Sequence, residues 1–211
     1  MSKLSRREVL AVLAGLSLSG VAGLARAGDG YEDVSPAQPP LGDDGKIEVL
    51  EFFWYGCPHC NQFHPILEEW RKTLADDVAF IPVAAALNPS WVNHARAYYA
   101  AETLDGVDKL HDAMFNEIHQ KKNRVIKLDD IADFAADQGF DRKEFYDTMR
   151  SFAVETKLRR ARQLAEAYRI SGVPTVTVAG KYITSGSLAG SYPRAIQVIN
   201  QLIEQERTAR A

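Results

Sequence analysis

Cysteine is scarce in this chain of 211 residues, which has two, at positions 57 and 60. One pair cannot hold together a small disulfide-rich fold, so any sulfur chemistry must come from this pair alone. The chain also lacks an excess of positive charge, because 25 basic and 28 acidic side chains give a formal net charge of −3. This balance argues against a nucleic-acid partner bound through a basic surface. The sequence has no internal repeat and no low-complexity tract, which excludes solenoid and fibrous architectures.

The one long uncharged stretch lies at the N-terminus, from Val9 to Ala25. It follows a positively charged start and ends in the small-residue pattern Ala25-Arg26-Ala27, so residues 1–27 are predicted to be a secretory signal peptide. An uncleaved membrane anchor is the alternative, although the stretch is short for a span. The Arg6-Arg7 pair fits a twin-arginine signal as well as an ordinary Sec signal, and both routes stay open. Export would place the two cysteines in an oxidising compartment, where disulfides persist.

The remaining chain reads as an interrupted α/β unit, and its hydrophobic fraction of 46% is enough for a core. Residues 28–45 are rich in turn formers and are predicted to be an extended lead without elements of its own. Apolar runs and helical spacings then predict a β-α-β unit, a block of helices without strands, and a β-β-α unit. The predicted bounds are strands at 47–54 and 78–83, a helix at 58–73, a helical block at 90–170, a hairpin of 174–178 with 181–184, and a helix at 192–206.

The motif Cys57-Pro58-His59-Cys60 stands where the first buried strand passes into a helix. At that position the free N–H groups and the positive dipole end of the helix stabilise a Cys57 thiolate, and Pro58 suits the first helical turn. His59 is expected to supply most of the further stabilisation of that anion, while Cys60 is expected to be buried and less ionised. Stabilising the thiolate stabilises the reduced protein, which makes the disulfide a better oxidant.

Three other interpretations of the cysteine pair were weighed. A structural disulfide across two residues closes a tiny loop and stabilises little. A zinc site could combine the cysteines with two of the five histidines, but no second ligand pair has the usual spacing, so no metal is expected. Haem attachment needs a histidine directly after the second cysteine, where this chain has Asn61.

The residues around the motif resemble the DsbA family of the thioredoxin superfamily. The likeness rests on Glu51-Phe-Phe-x-x-x-Cys57-Pro-His-Cys60-x-Gln62-Phe63, on the helical block and on Gly172-Val173-Pro174. It implies a thioredoxin fold formed by residues 28–89 and 171–211, with a helical domain inserted at 90–170. It also implies that Pro174 is cis and faces the cysteines, and that the Val173 backbone pairs with an extended substrate segment.

The resemblance further implies a periplasmic monomer without a cofactor, which oxidises reduced secreted proteins. A quinone-linked membrane protein like DsbB would then reoxidise it. An isomerase or reductase is the enzymatic alternative, but that role usually goes with a dimerisation domain, for which residues 28–45 are too few. A redox-inert chaperone that binds peptides beside Pro174 is a hypothesis of another class.

Several residues near the motif allow two interpretations. Glu51 is either an outward-facing strand residue or a buried acid that relays a proton to and from Cys60. The family commonly pairs this acid with a lysine on the next strand, and residues 79–83 contain none. Gln62 and Phe63 match positions beside the substrate groove, with helix packing as the alternative for Phe63. His64 is expected at the surface, and the histidines at 94, 111 and 119 are expected in solvated or capping positions.

Overall fold

A computed structural model describes residues 29–42 and 44–210 of the chain. The predicted signal peptide lies outside the described residues. Within the described part of the chain, none of the helices is long and apolar enough to cross a membrane.

A five-stranded mixed sheet forms the centre of the fold, with strand order β1-β5-β4-β2-β3. The interior strand β2 pairs in parallel with β3 and antiparallel with β4, while β4 and β1 each pair antiparallel with β5. All seven residues of β2 are buried, as its apolar sequence predicts. The strand bounds are β1 Tyr31–Asp33, β2 Ile47–Phe53, β3 Val78–Ala84, β4 Thr175–Val178 and β5 Tyr182–Thr184.

Eight α-helices surround this sheet within the part of the chain that is described. They follow the predicted order except for the short helix α7, which the sequence pattern does not predict. Helices α1 and α8 cover one sheet face, where Phe63, Leu67 and Val198 belong to one buried cluster. A second cluster joins the other face to the helices between β3 and β4. The helix bounds are α1 Pro58–Arg71, α2 Val92–Thr103, α3 Val107–His119, α4 Leu128–Asp137, α5 Arg142–Met149, α6 Phe152–Ala167, α7 Gly186–Ala189 and α8 Tyr192–Arg210.

Two expectations about the fold are corrected. Residues 28–45 are not merely an extended lead, because Tyr31–Asp33 forms β1 and pairs with β5. Three residues carry too little periodicity to be recognised, and pairing with a strand some 150 residues later defines this element. The buried Thr184 hydroxyl strengthens the same edge by donating to the Gly30 carbonyl at 2.6 Å.

The expected surface position of the histidines is also wrong for three of them. His64, His94 and His111 are buried, with 8%, 4% and 6% of their surface exposed. Burial without charge is tolerable for an imidazole because its ring packs well and its nitrogens can find partners, as His111 Nδ1 does with the Tyr55 hydroxyl. The buried Nδ1 of His94 finds no hydrogen-bond partner among the described residues. The His64 and His111 rings meet edge to face, with their centroids 4.8 Å apart.

Candidate active site

The two cysteines lie at the junction of β2 and α1. Cys57 is the residue that caps α1, with φ −84° and ψ 118°, and Pro58 begins the helix. The Cys57 N–H donates to the Trp54 carbonyl at 3.0 Å, which closes a tight turn before the helix. Both thiols are free, and Cys57 exposes 8% of its surface while Cys60 exposes none. The sequence predicts an exposed nucleophile at Cys57 and a buried resolving thiol at Cys60. The structure encloses Cys60, but it buries Cys57 as well, which is only the more accessible of the two.

The surroundings of Cys57 favour its thiolate and lower its pKa to about 6. The largest cause is a hydrogen bond from the Cys60 thiol, which outweighs the opposing effect of burial. The backbone N–H groups of Cys60 and His59 and the charge of His59 lower the pKa further. His59 therefore contributes to the thiolate, but the Cys60 thiol, and not the histidine, makes the largest contribution.

Cys60 has the opposite chemistry. Burial is the largest cause that raises its pKa, and its hydrogen bond to Cys57 raises it further because the thiol must keep its proton to donate. One pair of identical side chains is thus divided into an anion and a protonated donor. Such a pair can attack and be attacked at Cys57 while Cys60 stays enclosed.

The loop before β4 faces the cysteines from the other end of the sequence. The Val173–Pro174 peptide bond is cis, and the Cys57 thiol lies 3.4 Å from the Val173 carbonyl oxygen. Thr175 Oγ1 donates to the Gly172 carbonyl at 2.9 Å and fixes the loop from its far side. The structure therefore brings Val173 and Pro174 to the cysteine pair.

A groove of about 550 Å³ runs beside this loop. His59, Gln62, Val173 and Pro174 line this groove. The predicted contact of Gln62 with substrate stays a prediction. Tyr192, the first residue of α8, also lines the groove. Sequence reasoning missed Tyr192, and its position at the start of an amphipathic helix gave no signal of a site.

Phe63 does not line the groove, and its assignment to substrate binding is corrected. Its side chain is fully buried in the cluster between the sheet, α1 and α8. Its ring stacks on the ring of Tyr192, with centroids 4.9 Å apart. The apolar spacing of α1 turns Phe63 inward, whereas its neighbour Gln62 points to solvent.

The buried position of Phe63 leads to a prediction about stability. We expect Phe63→Leu to lower the free energy of unfolding by about 1–2 kcal/mol, because it leaves unfilled space against Tyr192. Urea unfolding checks the loss, and disulfide exchange with a peptide substrate should stay within about twofold of wild type. A large rise in the KM for the peptide at unchanged stability would show instead that Phe63 contributes to substrate binding in the groove.

Glu51 lies in the middle of β2 with only 3% of its surface exposed, which settles its orientation as inward. The sheet register places it opposite Pro82 of β3 and Val176 of β4. Burial, and after it the negative charge of Glu68 on α1, raises its pKa to about 8. The Glu51 charge in turn raises the pKa of Cys60, which places this acid close to the buried thiol.

Within the described residues, no group of three or more His, Cys, Asp or Glu side chains is arranged to hold a metal ion. The remaining chemistry of the site is that of a dithiol with one stabilised thiolate. A Cys-x-x-Cys dithiol with one stabilised thiolate, placed at the start of a helix and opposite a cis-proline loop, defines a thiol:disulfide oxidoreductase of the thioredoxin type.

Comparison with known proteins identifies the family within this class. A family model described as the DSBA-like thioredoxin domain matches residues 73–191. The thiol:disulfide interchange protein DsbA of Burkholderia cepacia is 40% identical over 197 residues, which cover 90% of this chain and 93% of the relative. The corresponding protein of Pseudomonas aeruginosa is 37% identical and covers 94% of this chain and 95% of its own.

Solved structures agree with these relatives. The crystal structure of Pseudomonas aeruginosa DsbA matches with a TM-score of 0.82 and 36% identity, over 86% of this chain and 94% of that one. The oxidoreductase DsbA of Xylella fastidiosa matches with a TM-score of 0.79 and 34% identity, over 84% of this chain and 95% of that one. The chain belongs to the DsbA family, which confirms the predicted thioredoxin fold with a helical insertion.

Proposed function

We propose that this oxidoreductase donates its Cys57–Cys60 disulfide to reduced exported proteins in the periplasm. A quinone-linked membrane protein like DsbB then restores the disulfide. The predicted signal peptide supports export, and the family supports both partners. The single observation that carries the direction of electron flow is the low pKa of Cys57 beside the raised pKa of Cys60.

The low pKa of Cys57 makes the protein an oxidant, because the stabilised thiolate lowers the free energy of the reduced enzyme and so favours reduction of its disulfide. With its pKa at about 6, the thiol is about 90% ionised at pH 7, whereas a free thiol near pKa ~8.5 is almost wholly protonated. This difference stabilises the reduced protein by about 1.4 kcal/mol at pH 7, or roughly 30 mV for a two-electron couple.

The exchange proceeds in two displacements, the first at Cys57 Sγ and the second at the substrate sulfur bonded to it. A substrate thiolate attacks Cys57 Sγ, the Cys57–Cys60 bond breaks, and Cys60 leaves with the electron pair. A second substrate thiolate then attacks the substrate sulfur of the mixed disulfide, and Cys57 leaves as the stabilised thiolate. The substrate loses two electrons and gains a disulfide, and the enzyme is left with the reduced pair.

Glu51 supplies the proton that the first displacement requires. Cys60 is fully buried and its raised pKa disfavours an anion, so the leaving sulfur must take up a proton at once. With its pKa at about 8, Glu51 is protonated at pH 7 and can give that proton. During reoxidation the same carboxylate accepts the proton of Cys60.

Substrate recognition is assigned to the groove and the cis-proline loop. The Val173 backbone lies beside Cys57 and is placed to pair with an extended segment that carries the substrate cysteine. Gln62 and Tyr192 contact the residues that flank this cysteine, because both line the adjoining groove. Main-chain pairing suits an enzyme that must accept many unfolded sequences.

A glutathione redox series on the purified protein tests the proposed direction. We expect the pair to be largely reduced even in oxidising buffer. Since Cys57 ionises near pH 6, the equilibrium constant for reduction of the enzyme disulfide by glutathione should be flat below that pH. It should then rise about tenfold per pH unit until about pH 8.5, where the glutathione thiols themselves ionise.

A strongly reducing pair, near the roughly −270 mV of thioredoxin, would overturn the oxidase and point to a reductase. The double variant Cys57→Ser/Cys60→Ser separates the chaperone hypothesis, since a redox-inert chaperone would keep its activity. We expect this variant to lose all disulfide transfer to a reduced peptide.

A further inference from the structure

Helix α3 of the inserted block contacts the catalytic turn and the catalytic helix through three polar side chains. His119 Nε2 donates to the Tyr55 carbonyl oxygen at 2.7 Å. The Tyr55 hydroxyl lies 2.9 Å from His111 Nδ1. One residue further along α3, Asp112 accepts a hydrogen bond from His64 Nε2 of α1 at 2.6 Å. Both the backbone and the side chain of Tyr55 are thus held by the same helix.

The contact between Tyr55 and His111 is dry and closely packed, whereas His119 is half-buried and Asp112 is exposed. Tyr55 exposes 1% of its surface and His111 exposes 6%. The Tyr55 ring meets the rings of His111 and Phe115 edge to face, at centroid distances of 5.4 and 5.1 Å. Hydrogen bonds in such an environment are costly to break, because the freed groups find no water.

Tyr55 lies two positions before Cys57, in a tight turn. The Cys57 N–H is bonded to the Trp54 carbonyl at 3.0 Å. A Cβ atom on Gly56 would lie only 2.3 Å from the Trp54 ring, so the chain here is as close to that ring as glycine permits. A shift of Tyr55 therefore moves Cys57 relative to the first N–H groups of α1 and to the Val173 carbonyl.

We propose that His111 and His119 of α3 are positioning residues that hold the turn before Cys57 and thereby set the reactivity of that thiol. The inserted helical block then acts on the chemistry of the site directly, in addition to any part it has in covering substrates. The inference rests on the proposed role of Cys57 as the reacting thiol. It concerns residues that do not touch the sulfur atoms themselves.

The test compares the ionisation of Cys57 in the reduced wild type and in reduced His119→Ala. Thiolate absorbance and alkylation rate across pH measure this ionisation in both proteins. His119 is only half-buried and sits in the last turn of α3, which favours a folded variant. Losing the bond to the Tyr55 carbonyl should raise the midpoint of ionisation by about one pH unit. The thiolate fraction at pH 5 would then fall about tenfold.

The glutathione equilibrium gives a second readout on the same variants. At pH 7 a midpoint that moves from about 6 to about 7 lowers the equilibrium constant about fivefold. His119→Gln keeps an N–H donor at a similar reach and should restore most of both values. Tyr55→Phe removes only the hydroxyl bond to His111, and we expect a smaller shift in the same direction.

Glu117→Ala is the matched control, because Glu117 lies two residues before His119 on α3 and is held by Asn123 and Lys121. It should weaken the end of α3 and leave the midpoint of Cys57 unchanged. An equal shift in this control, or an unchanged midpoint in His119→Ala, would overturn the inference. Should Cys57→Ser retain the alkylation seen at low pH, Cys57 is not the reacting thiol, and the proposed function fails with it.

Discussion

Replacement of Glu51 by Gln is expected to raise the free energy of unfolding by about 2–3 kcal/mol at pH 7. Glu51 exposes only 3% of its surface on the interior strand β2, and burial raises its pKa from 4.5 to about 8. Unfolding returns the carboxyl group to water, where it ionises freely. The wild-type protein therefore loses stability at neutral pH through this single group.

The pH dependence fixes the sign of this effect. Between pH 4.5 and about 8 the folded protein binds a proton at Glu51 that the unfolded chain releases. Stability therefore falls as pH rises through this window, and the loss is complete above pH 8. Glutamine cannot ionise, so the advantage of the variant should be near zero at pH 4.5 and largest above pH 8. Urea unfolding at three or four pH values measures it.

Glu48 provides the control, since it is a second buried acid on the same strand. Its carboxylate accepts the N–H groups of Leu41 and Gly42 at 2.7–2.8 Å. Glu48→Gln should destabilise the protein by about 1 kcal/mol because an amide offers one acceptor fewer. An equal gain from both variants would mean that general charge removal, and not the burial of Glu51, is responsible.

The same Glu51→Gln variant tests the proton relay. Without the acid, Cys60 must exchange its proton with water through a closed surface, so oxidation of a peptide should slow about tenfold or more. The equilibrium constant with glutathione should change less than this rate. If the variant is more stable and oxidises the peptide at the wild-type rate, Glu51 takes no part in the proton transfer and only lowers the stability of the protein.

Cys60→Ala should abolish catalytic disulfide transfer and raise the pKa of Cys57 by roughly 1.5 pH units. The loss of transfer follows because no internal disulfide can form. The change in pKa follows because the hydrogen bond from Cys60 is the largest cause that lowers the pKa of Cys57. A mixed disulfide formed when the Cys57 thiolate attacks the disulfide of an oxidised peptide should persist, since the Cys60 thiol that would attack Cys57 Sγ and release it is gone.

Two further variants separate the parts of this prediction. Cys60→Ser keeps a hydroxyl donor, so it should also lose transfer but raise the pKa of Cys57 less. His59→Ala should raise the pKa of Cys57 less than Cys60→Ala does, because the charge of His59 makes a minor contribution to lowering that pKa. Thiolate absorbance across pH ranks the three proteins, and a larger shift in His59→Ala than in Cys60→Ala would contradict the hydrogen-bond account.

Local sequence patterns predicted most of the fold and the centre of the site. The apolar run of β2 and the three-and-four spacing of α1 located the cysteines at a strand–helix junction. From that junction alone, the accessible thiolate at Cys57 and the enclosed Cys60 followed. These predictions succeeded because they depend on the conformation of neighbouring residues.

The failures concern contacts between residues that lie far apart in the sequence. The pairing of Tyr31–Asp33 with β5 spans most of the chain, and no local pattern marks it. His111 of α3 was expected in a solvated or capping position because its partners come from a different half of the sequence: the Tyr55 hydroxyl bonds to it and the His64 ring packs against it. Phe63 was assigned by its place next to the motif, whereas its direction is set by α8 packing across α1.

The approach of Cys57 to Val173 joins residues 116 positions apart. The causes that lower the pKa of Cys57 come from Cys60 and His59 of the same motif, but they act only when the folded chain holds the motif at the start of α1 and encloses Cys60. In an unfolded copy the two thiols are ordinary and hold a disulfide more firmly than the folded enzyme does. A newly made molecule is therefore a reductant toward its mature copies, and folding is the step that turns it from an electron donor into an electron acceptor.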